Sequence, residues 1–372
     1  MKNIGITGQK GFIGSHLYNR VSLLKNEFNL IAFENSFFES DENLIKWVSE
    51  CDVIIHLAAF NRHEDPQVIF DNNVSLVEKL LKAVEDSGKF PQIIFSSSTQ
   101  EEKDNLYGKS KKAGRQLLKK WGDKSNSIIT GLIIPNVFGP FGKPFYNSVV
   151  ATFCYQLCNG GSPKIEVNAV VKLIYVDELV SEIIKAIKIE TSDTELYIEE
   201  SSEIFVADIL SKLLKFKTDY LDNGIFPDLP DEFSKNLFNT FRSYINPAEH
   251  FPVFLKKNTD ARGTFVETIK LNQGGQISFS TTVKNITRGN HFHTRKIERF
   301  AVIKGKALIQ LRKYNTEEVL DCTLNGKQPS YVDMPVWYTH NIKNIGEEDL
   351  YTIFWINEFY DEKDPDTFYE TV

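Results

Sequence analysis

Cysteine is scarce: Cys51, Cys154, Cys158 and Cys322 are the four thiols in 372 residues. So few exclude a disulfide scaffold, and the i, i+4 spacing of Cys154 and Cys158 in a helical-looking run reads as reduced core thiols. Long apolar runs are missing too. No stretch approaches the ~18 consecutive apolar residues of a membrane span, and the opening MKNIGITGQKG reads as a strand and turn rather than a signal peptide. A cytoplasmic location is the expectation. Nor is there an excess of basic charge: 43 Lys+Arg against 50 Asp+Glu leave −7, a field that repels nucleic acid and anionic membrane. Neither is expected as a partner. With 41% hydrophobic and 25% charged residues, no repeat and no low-complexity tract, the composition is ordinary for a globular chain of about two and a half ~150-residue domains.

The chain is two unlike halves. Up to about residue 245, apolar runs at Asn3–Thr7, Leu30–Phe33, Val53–Leu57, Ile93–Ser96 and Ile128–Pro135 alternate with amphipathic stretches at Ile13–Leu24, Asn73–Ser87 and Tyr107–Trp121. Strand and helix in alternation predict an α/β fold, a doubly wound parallel sheet of Rossmann type covered on both faces. After Phe251, short β-rich runs at Thr264–Lys270, Gln276–Lys284, Phe300–Lys304, Ala307–Tyr314, Ser330–Val332 and Leu350–Ile356 are separated by turn residues. These predict an all-β sandwich or barrel. The proline-flanked stretch Asn246–Pro252 marks the seam, giving expected domains 1–246 and 252–372.

Glycines at 8, 11 and 14 follow the first strand directly and open the first helix. That spacing lets the backbone turn tightly and brings a dinucleotide pyrophosphate onto the free N–H groups of the helix start. Glu34, near the end of the second strand, suits the ribose hydroxyls of NAD, whereas Lys10 inside the turn suits the 2′-phosphate of NADP. Both cofactors stay open, with NADP carried forward. Further on, Tyr107 and Lys111 at i and i+4 share a helical face, so an ammonium can sit by the phenol. A tyrosine of pKa ~10 must fall by about three units to ionise at neutral pH, a differential stabilisation of ~4 kcal/mol.

The glycine turn, His56–Leu57–Ala58–Ala59, the strand end Ser96–Ser98, Tyr107-x-x-x-Lys111, Asn136–Val137–Phe138–Gly139–Pro140 and Tyr175–Val176–Asp177 together resemble an extended short-chain dehydrogenase/reductase over about residues 1–245. The resemblance implies that Tyr107 is the acid/base, Lys111 its activator and ribose ligand, and Ser98 the hydroxyl that polarises the substrate oxygen. It places Gly8, Lys10, Gly11, Phe12, Ile13, Gly14, Glu34, Leu57, Ala58 and Lys111 against the dinucleotide. Asn136 and Arg62 fall to a nucleotide-sugar. One departure is Pro135, with no arginine in the strand before Asn136.

In the second half, His291-x-His293, Glu298 and His340 are of the residue types that bind a divalent transition metal, and two histidines at i, i+2 on a strand face one way. Their flanks, Gly289 through Gly305 and Pro335 through Asn344, resemble the two cupin motifs, which implies a jelly-roll barrel with zinc as the expected ion. Trp337 departs, standing where the second motif has glycine. A short-chain reductase followed by a cupin resembles a family of bifunctional capsular-polysaccharide enzymes. That implies C3 epimerisation of a UDP-2-acetamido-2,6-dideoxy-4-hexulose in the cupin and NAD(P)H reduction at C4 in the first domain. The product would be a UDP-2-acetamido-2,6-dideoxy-L-talose for N-acetyl-L-fucosamine synthesis, made by a homodimer. A 4-ketoreductase whose cupin is only a dimerisation scaffold, and a non-catalytic dinucleotide sensor, are the alternatives.

Overall fold

The computed structural model describes residues 1–125, 127–260, 263–266, 268–272, 275–358 and 361–372. Packing divides the chain into two compact units, Met1–Thr152 with Ile165–Asp208, and Phe153–Lys164 with Ile209–Val372.

The first unit is built on a six-stranded, all-parallel sheet in the order Phe28–Ile31, Lys2–Thr7, Val53–His56, Gln92–Ser98, Ile129–Ile134, Asp193–Tyr197. Alternate strand residues feed two cores. Ile4, Ile6, Val53, Ile55, Ile94 and Leu132 meet Leu17 and Val21 of helix Phe12–Ser22, and Leu179 and Ile183 of helix Val176–Ala186. Ile54, Ile93, Phe95 and Ile129 meet Trp47, Val77, Leu80, Leu118 and Trp121 on the other helices. Each such buried aliphatic side chain contributes about 1.5–3 kcal/mol of transfer free energy. This is the expected Rossmann-type sheet, and the order in which successive strands are added reverses between Lys2–Thr7 and Val53–His56, the switch point where ligands bind at strand C-termini. A smaller sheet joins Asn136–Phe138, Val170–Tyr175 and Ser202–Phe205.

Several boundaries shift by a few residues from expectation, and two of the shifts have a visible cause. The second strand is Phe28–Ile31, because Phe33 leaves the sheet edge to pack its ring 4.7 Å from that of Trp47. The helix expected from Asn73 begins at Pro66, with Asp65 accepting a hydrogen bond from Gln67 N at 2.8 Å.

In the second unit, two five-stranded sheets face each other, each built from antiparallel pairs. One runs Val253–Phe254, Ser330–Met334, Glu298–Lys304, Leu350–Ile356, Gln276–Thr282; the other Val319–Asn325, Lys306–Lys313, Tyr338–Asn344, Thr287–Phe292, Phe368–Tyr369. Val302, Val332 and Met334 from the first meet Ile309, Leu311, Leu324 and Ile342 from the second. The expected strand Thr264–Lys270 is seen as Gly263–Val266 and Lys270–Leu271, with residue 267 outside the described residues.

Packing places residues 209–246 with this unit, whereas the sequence put their end at the close of the first domain. Polar anchoring explains the assignment. Tyr220 donates to Asp333, Arg242 Nη2 to Met334 O at 2.9 Å, and Arg299 Nη1 to Gly224 O at 3.2 Å. Arg299 also grips Asp333 through Nε at 2.7 Å and Nη2 at 2.9 Å, a fully buried bidentate pair. Among the described residues no helix is long and apolar enough to cross a membrane.

Candidate active site and candidate metal centre

In the first unit, the expected cofactor residues gather at the C-terminal ends of the parallel strands. Gly8 has φ +72°, and a Cβ there would lie 2.9 Å from Ala58 N. A Cβ on Gly14 would fall 2.1 Å from Gly8 O, so both positions demand glycine. Gly11 caps helix Phe12–Ser22 with no side-chain hydrogen bond and no acidic residue in the first turn, which leaves the N–H groups of Phe12 and Ile13 for an anion. The cradle fits a dinucleotide pyrophosphate. Leu57 and Ala58 stand beside it, with Ala58 N donating to Thr7 Oγ1 at 3.2 Å. Lys10 is exposed in the turn, and Glu34 is exposed three residues beyond the strand end Ile31.

Tyr107 and Lys111 lie on helix Leu106–Ser125, whose start is capped by Asn105 Oδ1 accepting from Gly108 N at 2.7 Å. Gly108 is required there, since a Cβ would come within 1.9 Å of Gln100 O. The Lys111 ammonium sits 5.9 Å from the Tyr107 ring centroid and donates to Ser96 O at 2.8 Å. Ser98, two residues on, closes strand Gln92–Ser98, and its hydroxyl accepts from Gln100 N at 3.2 Å. Burial pulls the Lys111 pKa down to about 8, with Glu101 opposing, and burial beside Tyr146 pushes the Tyr107 phenol up to about 12. The fall expected of the phenol is thus absent from the chain's own field, because burial is the largest influence on it and Tyr146 acts in the same direction.

Asn136 starts strand Asn136–Phe138 and donates to Lys172 O at 3.1 Å. Arg62 donates to Phe145 O at 2.6 Å and Tyr146 O at 3.1 Å, tying down the loop that carries Tyr146. Sequence reasoning missed several supports. Buried Arg115 clamps Glu101 through Nε at 2.9 Å and Nη2 at 2.7 Å, and Ser97 donates to the same carboxylate. Asn73 bonds both backbone groups of Phe60 and the Ser110 hydroxyl, which fixes the loop after His56 against the Tyr107 helix. Burial, reinforced by Lys111, takes His56 down to about 3, so its imidazole is neutral at 2.9 Å from Thr7 Oγ1.

The second unit brings His291, His293, Glu298 and His340 together: one ligand atom from each lies within 4.8 Å of the others. Glu298 opens one sheet's strand, while His291 and His340 are direct cross-strand partners on the other. A bulge at Asn290, φ +59°, sets that register. His293 Nδ1 faces Asp366 O at 2.5 Å and His340 Nδ1 faces Tyr338 O at 3.1 Å. Carbonyls only accept, so both Nδ1 atoms carry the proton and both Nε2 atoms turn inward. They approach one Glu298 oxygen at 3.1 and 3.3 Å, and His340 Nε2 has no hydrogen-bond partner. Burial alone would raise Glu298, yet the imidazoles of His293 and His340 beside it hold it below the usual carboxylate range. Inward lone pairs around an ionised carboxylate are the donor set of a divalent transition ion.

Trp337 has φ +60°, a left-handed conformation that glycine takes without strain. Its main-chain N–H donates to His293 O at 2.8 Å, and the indole stacks 5.5 Å from Phe292, which alternates with His291 and His293 along the chain. The ring therefore packs on the face opposite the ligands.

Two family models match the chain: the NAD dependent epimerase/dehydratase family over residues 4–197, and the polysaccharide biosynthesis C-terminal domain over residues 258–368. A UDP-2-acetamido-2,6-beta-L-arabino-hexul-4-ose reductase of Pseudomonas aeruginosa is 32% identical over 374 residues, 98% of this chain and 97% of that protein. The crystal structure of capsular polysaccharide assembling protein CapF from Staphylococcus aureus matches with a TM-score of 0.63 at 35% identity, covering 100% of both chains. RMD from Pseudomonas aeruginosa, solved with NADPH, shares the fold of the first unit: TM-score 0.53, 18% identity, 59% of this chain and 83% of that one.

Proposed function

Since the chain belongs to the NAD dependent epimerase/dehydratase family, we propose that it is a bifunctional nucleotide-sugar enzyme. In this reading the second unit is a cupin that epimerises C3 of a UDP-2-acetamido-2,6-dideoxy-4-hexulose, and the first reduces the C4 ketone. The product is a UDP-2-acetamido-2,6-dideoxy-L-talose for capsule or surface-polysaccharide N-acetyl-L-fucosamine. The observation that carries the reduction is the Tyr107–Lys111 pair beside the Ser98 strand end. Full-length similarity to a named 4-hexulose reductase and to CapF supports the substrate class.

The reduced nicotinamide, when bound, supplies the hydride for C4. Tyr107 gives its phenolic proton to the C4 oxygen, Ser98 donates a hydrogen bond to that oxygen, and Lys111 holds positive charge beside the phenol. A phenol pKa of about 12 suits this direction, because the acid must be protonated before it acts. NADP is the proposed cofactor: Lys10 is exposed at the turn, and Glu34 is set back from the strand end. Asn136 and Arg62 are assigned to the nucleotide-sugar. In the cupin, His291, His293, Glu298 and His340 would hold zinc, whose positive charge suits a developing enolate oxygen. Four protein ligands also suit a closed structural site, which keeps the scaffold alternative as the second reading.

The test supplies the 4-hexulose with NADPH or NADH in deuterated water and follows both cofactor oxidation and deuterium at C3. Tyr107→Phe is expected to lose reduction by about 10²–10⁴-fold and keep exchange. His291→Ala is expected to lose exchange. Cofactor oxidation by wild type without deuterium at C3 would sink the epimerase assignment and leave the cupin as a scaffold.

A further inference from the structure

The chain's last described segment returns to the four-residue cluster and holds it in shape. We propose that Asp366 is a positioning residue for His293, which makes the C-terminal segment a working part of the ion site. The inference rests on reading His291, His293, Glu298 and His340 as ligands.

The turn from His293 to Ile297 connects a ligand on one sheet with Glu298 on the other, and the N–H groups of residues 294–296 find no strand partner. Asp366 supplies their acceptors. Its carboxylate takes Thr294 N at 3.1 Å, Thr294 Oγ1 at 2.6 Å, Arg295 N at 3.0 Å and Lys296 N at 3.0 Å. The residue is buried and adopts φ +41°, a left-handed conformation that a non-glycine residue holds only where its surroundings over-determine it. That backbone aims the Asp366 carbonyl at His293 Nδ1, 2.5 Å away. One residue thus fixes the turn through its side chain and the ligand ring through its main chain. Residues beyond it extend the hold: Phe368 and Tyr369 pair with Phe292 and His291, and Glu370 N donates to Asn290 O at 2.9 Å. Asp364, by contrast, bonds only the Arg295 side chain in this region and is the control.

Asp366→Asn keeps the size and one acceptor but turns an amide NH₂ toward N–H donors, so the turn must shift. The full chain, stripped of metal, is titrated with Zn²⁺ against a chromophoric chelator, and the absorption spectrum of its Co²⁺ form is recorded. Wild type and Asp364→Asn are expected to bind one ion tightly, and His291→Ala none. Asp366→Asn is expected to bind about 10–100-fold more weakly, with a displaced Co²⁺ ligand-field band. Thr294→Val removes a single bond to Asp366 and should weaken binding several-fold; it carries the test if Asp366→Asn does not fold. Wild-type affinity with an unchanged Co²⁺ spectrum in Asp366→Asn, or in Thr294→Val where only that variant folds, overturns the positioning role while leaving the ligand set intact. A wild type that takes up no ion overturns both.

Discussion

Replacing Lys111 by methionine is expected to stabilise the cofactor-free protein while abolishing reduction. The ammonium is almost wholly buried, and burial lowers its pKa from an ordinary 10.5 to about 8. A shift of that size at 1.36 kcal/mol per unit means about 3 kcal/mol of cost for holding the charge inside at neutral pH. Methionine keeps most of the stem's volume but removes the donor to Ser96 O, a loss of about 1 kcal/mol. The net gain is about 2 kcal/mol, or ~4–8 °C in melting temperature for a unit of this size. The pH dependence separates this cause from packing. Because the folded pKa lies below the unfolded one, the unfolded chain holds the extra proton between about pH 8 and 10.5, and wild-type stability from this group rises with pH across that window. The gap between variant and wild type should therefore be full at pH 7 and shrink toward pH 10. Thermal denaturation of the cofactor-free proteins at both pH values measures it. A variant less stable than wild type at pH 7, or a gap that does not change with pH, refutes the reasoning.

Trp337→Gly sets two effects against each other. Glycine relieves about 1–3 kcal/mol of left-handed strain at φ +60°, yet loses a buried indole worth about 3–5 kcal/mol, so a net loss of ~2 kcal/mol is expected as a lower urea midpoint with unchanged m. The homodimer that the family resemblance implies is expected to use the sheet edge Gln276–Thr282, where Ile277 is 58% and Phe279 71% exposed. Phe279→Lys should then sediment with the mass of one chain rather than two, and an unchanged mass would move the interface elsewhere.

What the sequence made legible was whatever is written in short-range pattern. Val53–His56 and Ile129–Ile134 are buried along their whole length, so their apolar runs announced strands of a covered sheet. The glycines announced the turn because the clash distances at Gly8 and Gly14 leave no other residue type. The helix start at Pro66 was also legible, through Asp65 and proline at the first helical position, although the apolar period placed it later. Strand Tyr338–Asn344 was not on the expected β list, and Thr287–Phe292 entered only through the His291-x-His293 spacing, without bounds. They carry His291 and His340 toward the cluster, and polar residues on the inward face erase the alternation by which a strand is recognised.

The supports of both sites were illegible for a different reason. Asp366 lies 70 to 72 positions from the turn it caps, in an acidic stretch whose composition reads as a solvated tail. Arg115 and Glu101 are 14 apart, and nothing in their neighbours marks them as a buried pair. Such residues act through backbone donors and the orientation of other side chains, so their chemistry has no local signature, whereas a ligand or an acid/base does. Tyr107 makes the same point from the other side. The sequence located the phenol correctly as a helical neighbour of Lys111, but its pKa is a property of burial and of every charge around it, and those come from chain segments as distant as Tyr146. Spacing can nominate a group for chemistry; its protonation state follows from the fold.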